Sequence, residues 1–269
     1  MALAESMLAA RFNTPERKVV DHLTVVLASD GDMMEGISHE ASSLAGHLKL
    51  GKLICLYDDN LISLDGPTKM AFTEDVEKRF QAYGWHTQRC DGHDPAAIER
   101  ALQAARGETA RPSLILCRTV IGKGSPNMAG TSKVHGAPLG DEEVKATREA
   151  LGWKLPPFTV PAEVRGLFAE AARRGAETRA RWESERAAWA KASPDLAARW
   201  DRTLRRELPA GWEEKLPKFA GDALPVATRV ASGKVINALA ETLPELIGGS
   251  ADLASSNNTM VAGQPAYSA

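Results

Sequence analysis

Apolar residues in this chain fall into two alternating patterns, short continuous runs and longer stretches spaced by three and four. The runs are LTVVLA (23–28), LICLY (53–57), WHTQRC (85–90) and SLILCRTVI (113–121). Runs of this length predict strands, and the nearly unbroken first one predicts a strand covered on both faces. Between the first two runs, Ile37, Ala41, Leu44, Ala45 and Leu48 form one stripe of a helix over 35–50, stopped by Gly51. Thr73 is placed to cap a helix carrying Val76, Phe80 and Tyr83, and residues 95–106 form an alanine-rich helix with Pro95 in its first turn. Ahead of the first run, Leu3, Met7, Leu8 and Phe12 share a helical face that ends at Asn13 and Pro15. Strand, helix and strand in close succession are what a parallel crossover needs. Four such runs separated by helices predict a doubly wound α/β domain on a parallel sheet.

The pattern then loosens. Residues Ile121 to Gly140 are glycine-rich without an apolar face, and a loop this long in a compact domain is functional or disordered. A helix follows from Asp141 to Leu151. Residues 162–206 are rich in Ala, Arg and Glu, with Trp182, Trp189 and Trp200 near helical spacing. Because acids interleave the arginines, surface helices are expected there rather than a nucleic-acid-binding arm. Leu208 to Pro225 reads as a proline-bearing linker. A second alternating unit then opens, with a helix over Thr228–Thr242, a short strand ELIGGS and a polar turn ADLASSNN.

Composition narrows the function classes. The 33 basic and 35 acidic side chains leave a net charge of −2, so no global field draws the chain to nucleic acid or an anionic membrane. Glu5 and Arg11 fall within the N-terminal apolar spacing, so residues 1–13 lack the uninterrupted apolar core expected of a signal peptide, and no run reaches membrane-spanning length. Cys55, Cys90 and Cys117 are odd in number, lack metal-type spacing and sit in or beside strand-like runs. They read as reduced core thiols of a cytoplasmic protein.

Candidate chemistry gathers at the ends of the first two strands. Asp30 and Asn60 follow them, and in open α/β sheets ligands collect at that edge. A carboxylate, an amide oxygen and a nearby backbone carbonyl make a sparse oxygen set that suits Mg²⁺, with Ca²⁺ as the other option, better than zinc. Gly31 would let an anion approach the backbone, and the helix beginning near Glu35 would point its positive end there. His135, bracketed by glycines in SKVHGAPLG, could donate to a phosphate or shuttle protons. Three look-alikes fail. His39–Glu40 has Ser43 where a zinc protease needs its second histidine; Gly122–Lys123–Gly124–Ser125 breaks the P-loop frame; Asp30, Asp32 and Glu35 lack the rest of an EF-hand.

The stretch DGDMMEGISHEASSLAGHLKLGKLICLYDDNLISLDGPT resembles the thiamine diphosphate-binding motif of transketolases, and FTEDVEKRFQAYGW, VHGAPLG and LPELIGGSADL extend the resemblance along nearly the whole chain. The resemblance implies a Mg²⁺- and thiamine diphosphate-dependent transfer of a two-carbon ketol unit between sugar phosphates, in a homodimer. It implies that Asp30, the Asn60 side chain and the Ile62 carbonyl hold the cation, and that Gly31 and Asn60 meet the diphosphate. His135 would lie between cofactor and donor sugar as a catalytic group, while Arg229 and Ser256 would bind the sugar phosphate. It also implies a diphosphate-binding domain over 1–190, a linker over 191–225 and the opening of a pyrimidine-binding domain over 226–269. Ser29 departs from the motif's first glycine. The family's glycine loop and its ring-activating glutamate have no counterpart in this chain, so the chain alone is expected not to turn over. A stand-alone Mg²⁺-diphosphate-binding module, and a dihydroxyacetone synthase or deoxyxylulose-phosphate synthase, remain open alternatives.

Overall fold

The structure, a computed structural model, describes residues 1–221 and 225–267. It divides into two compact units, the first comprising Met1–Ala180 and the second beginning at Arg181. Of the expected linker, residues 222–224 lie outside the described residues, as do 268 and 269 of the segment after it.

Four strands build the first unit: β1 (Thr24–Ser29), β2 (Leu53–Asp59), β3 (His86–Asp91) and β4 (Ser113–Arg118). All pair in parallel in the order β1-β2-β4-β3, so the sequence-predicted parallel α/β sheet is present. The helices are α1 (Ala2–Phe12), α2 (Asp30–Met34), α3 (Gly36–His47), α4 (Val76–Ala82), α5 (Pro95–Gly107) and α6 (Asp141–Ala150). Side chains alternate across the sheet. Cys55, Tyr57, Leu114 and Leu116 join Phe80 and Trp85 on one face, whereas Ile54, Ile115 and Cys117 pack with Ala101 and Ala105 of α5 on the other. Phe80 and Trp85 meet edge to face at 5.0 Å, and the Trp85 indole donates to the Ser42 carbonyl at 2.8 Å. Such a pair contributes about 1 kcal/mol beyond burial. Gly46 of α3 lies so close to α4 that a Cβ there would stand 1.9 Å from the Tyr83 oxygen.

Four expectations are corrected. Strand β1 is not covered on both faces: it is an edge strand, and Val25, Val26 and Leu27 are exposed. The helix expected over 35–50 forms as α3, but its stripe is only partly covered: Ala45 and Leu48 are buried, whereas Ile37, Ala41 and Leu44 face outward. The cap of α4 is Asp75, whose carboxylate accepts from the Lys78 amide at 3.1 Å, and not Thr73. ELIGGS forms no strand among the described residues: after a turn at Glu245 it runs as irregular chain.

The division between the units falls within α7 (Ala162–Ala192). The second unit also holds α8 (Pro194–Leu204), α9 (Thr228–Thr242) and the short α10 (Ala254–Asn257). Trp189, fully buried, meets Trp200 of α8 edge to face at 5.9 Å. Arg202 anchors Glu245 at 2.5 Å, and Asn237 of α9 bonds the Met260 carbonyl and Ala262 amide.

Candidate functional site

Parallel pairing of β1 with β2 puts Ser29 opposite Asp58. The residues that follow each strand therefore emerge side by side at the carboxyl edge of the sheet. Asp30 is 1% exposed, and a carboxylate that deeply placed must find hydrogen-bond donors. It finds three. The Tyr57 hydroxyl donates to Oδ1 at 2.6 Å, and the amides of Asn60 and Leu61 donate to Oδ2 at 3.2 and 3.0 Å. Burial, and then the bond to Asp30, push the Tyr57 phenol well above its ordinary value, so it acts as a donor throughout the accessible pH range. Asp30 opens α2 instead of ending a turn; the Ser29 amide is bonded to the Asp32 carboxylate at 2.8 Å. Open space lies beside Gly31 where a Cβ would point, which leaves the backbone approachable.

The loop leaving β2 is shaped for its oxygens. Leu61 adopts a left-handed conformation, φ 63°, which costs a non-glycine residue about 1–2 kcal/mol and is held by its own amide's bond to Asp30. That turn lets the Ile62 amide donate back to the Asn60 Oδ1 at 2.9 Å. The Asn60 Nδ2 donates to the Asp58 carboxylate at 3.2 Å, which fixes the amide so that its oxygen points away from Asp58. Asp58 is itself gripped by the Thr119 hydroxyl, and Asp59 by the Arg118 guanidinium at 2.8 Å. Burial holds the Asp59 carboxyl above its ordinary value, against the pull of Arg118.

This set passes a chemical test for a hard cation. Three hydrogen bonds leave the Asp30 carboxylate one acceptor position, one bond leaves the Asn60 Oδ1 another, and the Ile62 carbonyl accepts none among the described residues. No group of three His, Cys, Asp or Glu side chains among the described residues offers an alternative. Asp30, Asn60 and Ile62 therefore could hold Mg²⁺, completed by phosphate and water oxygens.

His135 lies on the loop that follows β4. It closes a short turn over Ser132–Val134, its amide bonded to the Ser132 carbonyl at 3.0 Å, and its imidazole is exposed. The loop is internally braced. Gly130 bonds Ile121 at 2.8 Å, and Gly122, φ 65°, brings the backbone so near Val134 that a Cβ would stand 2.9 Å from it. Its anchor is Glu143 in the first turn of α6, which accepts from the Ser125 hydroxyl, from the Asn127 amide at 2.9 Å and from the Asn127 side chain at 2.8 Å. These donors, Ser125 first, hold the Glu143 carboxyl below the usual carboxylate range.

Arg229 and Ser256 belong to the second unit, both exposed, in the first turn of α9 and in α10. Their neighbours Val230, Gly233, Lys234 and Ser255 line a cleft of about 590 Å³ between these helices. No hydrogen bond joins the two residues. Sequence reasoning missed Tyr57, Asp58, Leu61, Thr119 and Glu143. Tyr57 alone carried a signal, since a phenol inside an apolar strand needs a buried partner.

Comparison with known proteins places these features in context. The sequence profile of a family described as "Transketolase, thiamine diphosphate binding domain" matches residues 1–209. The chain is 50% identical over 271 residues to transketolase 1 of Escherichia coli K12, covering 99% of this chain and 41% of that protein. It is 51% identical over 267 residues to the transketolase of Geobacillus stearothermophilus, covering 98% and 40%. Among solved structures, a Pichia stipitis transketolase in complex with sedoheptulose 7-phosphate superposes with a TM-score of 0.92 at 42% identity, over 97% of this chain and 39% of that one. The Leishmania mexicana transketolase does so with a TM-score of 0.91 at 40% identity. The chain thus spans about two fifths of the length of the relatives it matches.

Proposed function

The chain belongs to the transketolase family, and on that premise we propose that it is the diphosphate-binding part of a transferase moving a two-carbon ketol group from a ketose phosphate, such as xylulose 5-phosphate, to an aldose phosphate, such as ribose 5-phosphate. This reading carries with it a homodimer in the cytoplasm, working in the pentose phosphate pathway. In it, residues 1–190 form the diphosphate-binding domain, 191–225 a linker and 226–269 the beginning of the pyrimidine-binding domain.

The observation that supports it best is the carboxyl-edge cluster, where a buried carboxylate is steadied by Tyr57 and two amides yet keeps an acceptor position free beside the Asn60 and Ile62 oxygens. Asp30, Asn60 and Ile62 would bind Mg²⁺ and orient the diphosphate, while Gly31 leaves room for its oxygens. Thiamine diphosphate, when bound, supplies the carbanion chemistry that breaks and remakes the carbon–carbon bond. His135 would hold or move a proton at the donor sugar's hydroxyl, and its brace through Glu143 would restrict where the imidazole can go. Arg229 and Ser256 would take the sugar phosphate, a guanidinium fork and a hydroxyl being suited to it.

The test is a ketol-transfer assay on the complete protein, with xylulose 5-phosphate and ribose 5-phosphate, in the presence and absence of Mg²⁺ and thiamine diphosphate. Transfer that needs both, and that Asp30→Ala abolishes together with cofactor binding, is the expected result. Transfer only to formaldehyde, or no ketol transfer but condensation of pyruvate with glyceraldehyde 3-phosphate, would overturn the substrate assignment. This chain alone is expected to show no turnover.

A further inference from the structure

Outside the carboxyl-edge cluster, the sheet brings two thiols together that the proposed chemistry does not use. Cys90 of β3 and Cys117 of β4 are direct register partners in a parallel pair, with their sulfurs 3.6 Å apart. Neighbouring strands run about 4.8 Å apart, which lies inside the Cα window for a disulfide. Cys117 is buried and Cys90 half-buried, so an oxidant would reach the pair from the Cys90 side. The third thiol, Cys55, packs in the core on the opposite face of the sheet and has no sulfur partner.

We propose that Cys90 and Cys117 form a reversible oxidation site, closed to a disulfide by hydrogen peroxide. The Cys90 sulfur attacks a peroxide oxygen; the O–O bond breaks, hydroxide leaves and takes up a proton as water, and Cys90 becomes a sulfenic acid. The Cys117 sulfur then attacks the Cys90 sulfur; the S–S bond forms, the S–O bond breaks, and the hydroxyl departs with the Cys117 proton as a second water. Two electrons pass from the thiol pair to one peroxide. The first attack falls to Cys90, the more exposed of the two; burial, together with the neighbouring Cys90, pushes the Cys117 thiol up to about 12, which makes its closing step slow.

The test treats the purified full chain with hydrogen peroxide, blocks remaining thiols with an alkylating agent, and maps peptides by mass spectrometry, with and without dithiothreitol. The expected result is a loss of two hydrogens and of two thiols together, a peptide bridge from Cys90 to Cys117, an alkylated Cys55, and full reversal by the reductant. Cys117→Ser should stop the reaction at a sulfenic acid on Cys90 that dimedone traps. The same treatment in guanidinium, where the sheet is gone, should give pairings that include Cys55. Native protein that also pairs Cys55, that gains oxygen at Cys90 without closing, or that keeps all three thiols would overturn the proposal.

Discussion

Strands β1 and β4 look alike in sequence and live differently in the fold. TVVLAS and SLILCR are both near-continuous apolar runs, yet in β4 Leu114 and Ile115 are completely buried, whereas in β1 Val25 is 56% and Leu27 81% exposed. The difference is position in the sheet, since β4 has β2 and β3 on its two sides and β1 has β2 alone. Apolarity records what a strand must have covered, and says nothing of which residues do the covering.

The contrast can be tested directly. Ile115→Ala, which hollows the face packed on α5, should cost about 3–4 kcal/mol in urea unfolding, the largest effect expected here. A loss below about 1 kcal/mol would mean that β4 is not the centre of the core. In β2, which touches both strands, Tyr57→Phe removes one of the three donors to a buried carboxylate and should cost about 1–3 kcal/mol by the same measurement.

A smaller effect is expected on the loop that β4 launches. Glu143 titrates below its ordinary value of about 4.5, so the folded chain takes up its proton less readily than the unfolded one. Its contribution is complete above the unfolded value and disappears as pH falls through the folded one. Glu143→Gln should therefore flatten the acid-side loss of stability while leaving α6 helical by circular dichroism. Asp59, held above its ordinary value, works in the opposite sense, so the comparison must be made with the parent chain at each pH. The smallest effect belongs to β1. Leu27→Ser should change unfolding stability by less than about 0.5 kcal/mol and should reduce self-association in sedimentation, because an apolar edge strand is a template for pairing.

The alternating runs made the parallel sheet legible, and the alanine-rich helix with Pro95 in its first turn appeared as read. What stayed hidden was long-range or conformational. The Tyr57 bond to Asp30 joins residues that only the β1–β2 register brings together. ELIGGS is apolar enough for a strand, but a strand needs a neighbour, and none pairs with it among the described residues. Thr73 and Asp75 are both capping residues, and the choice depended on where the chain turned into α4. At the site, the oxygen-bearing residues Asp30 and Asn60 were visible as chemistry at strand ends. The brace at Asp58 and Thr119, and the anchor at Glu143, were not, because each is an ordinary polar residue until the fold gives it a partner.

The left-handed Leu61 has a kinetic meaning. A residue bent against its own preference, and pinned there by an amide bonded to a buried carboxylate, has already made its conformational choice when the chain folds. In the proposed role, the Asn60 and Ile62 oxygens would stand ready at first encounter, and a cation meeting this loop would have only its own water to shed.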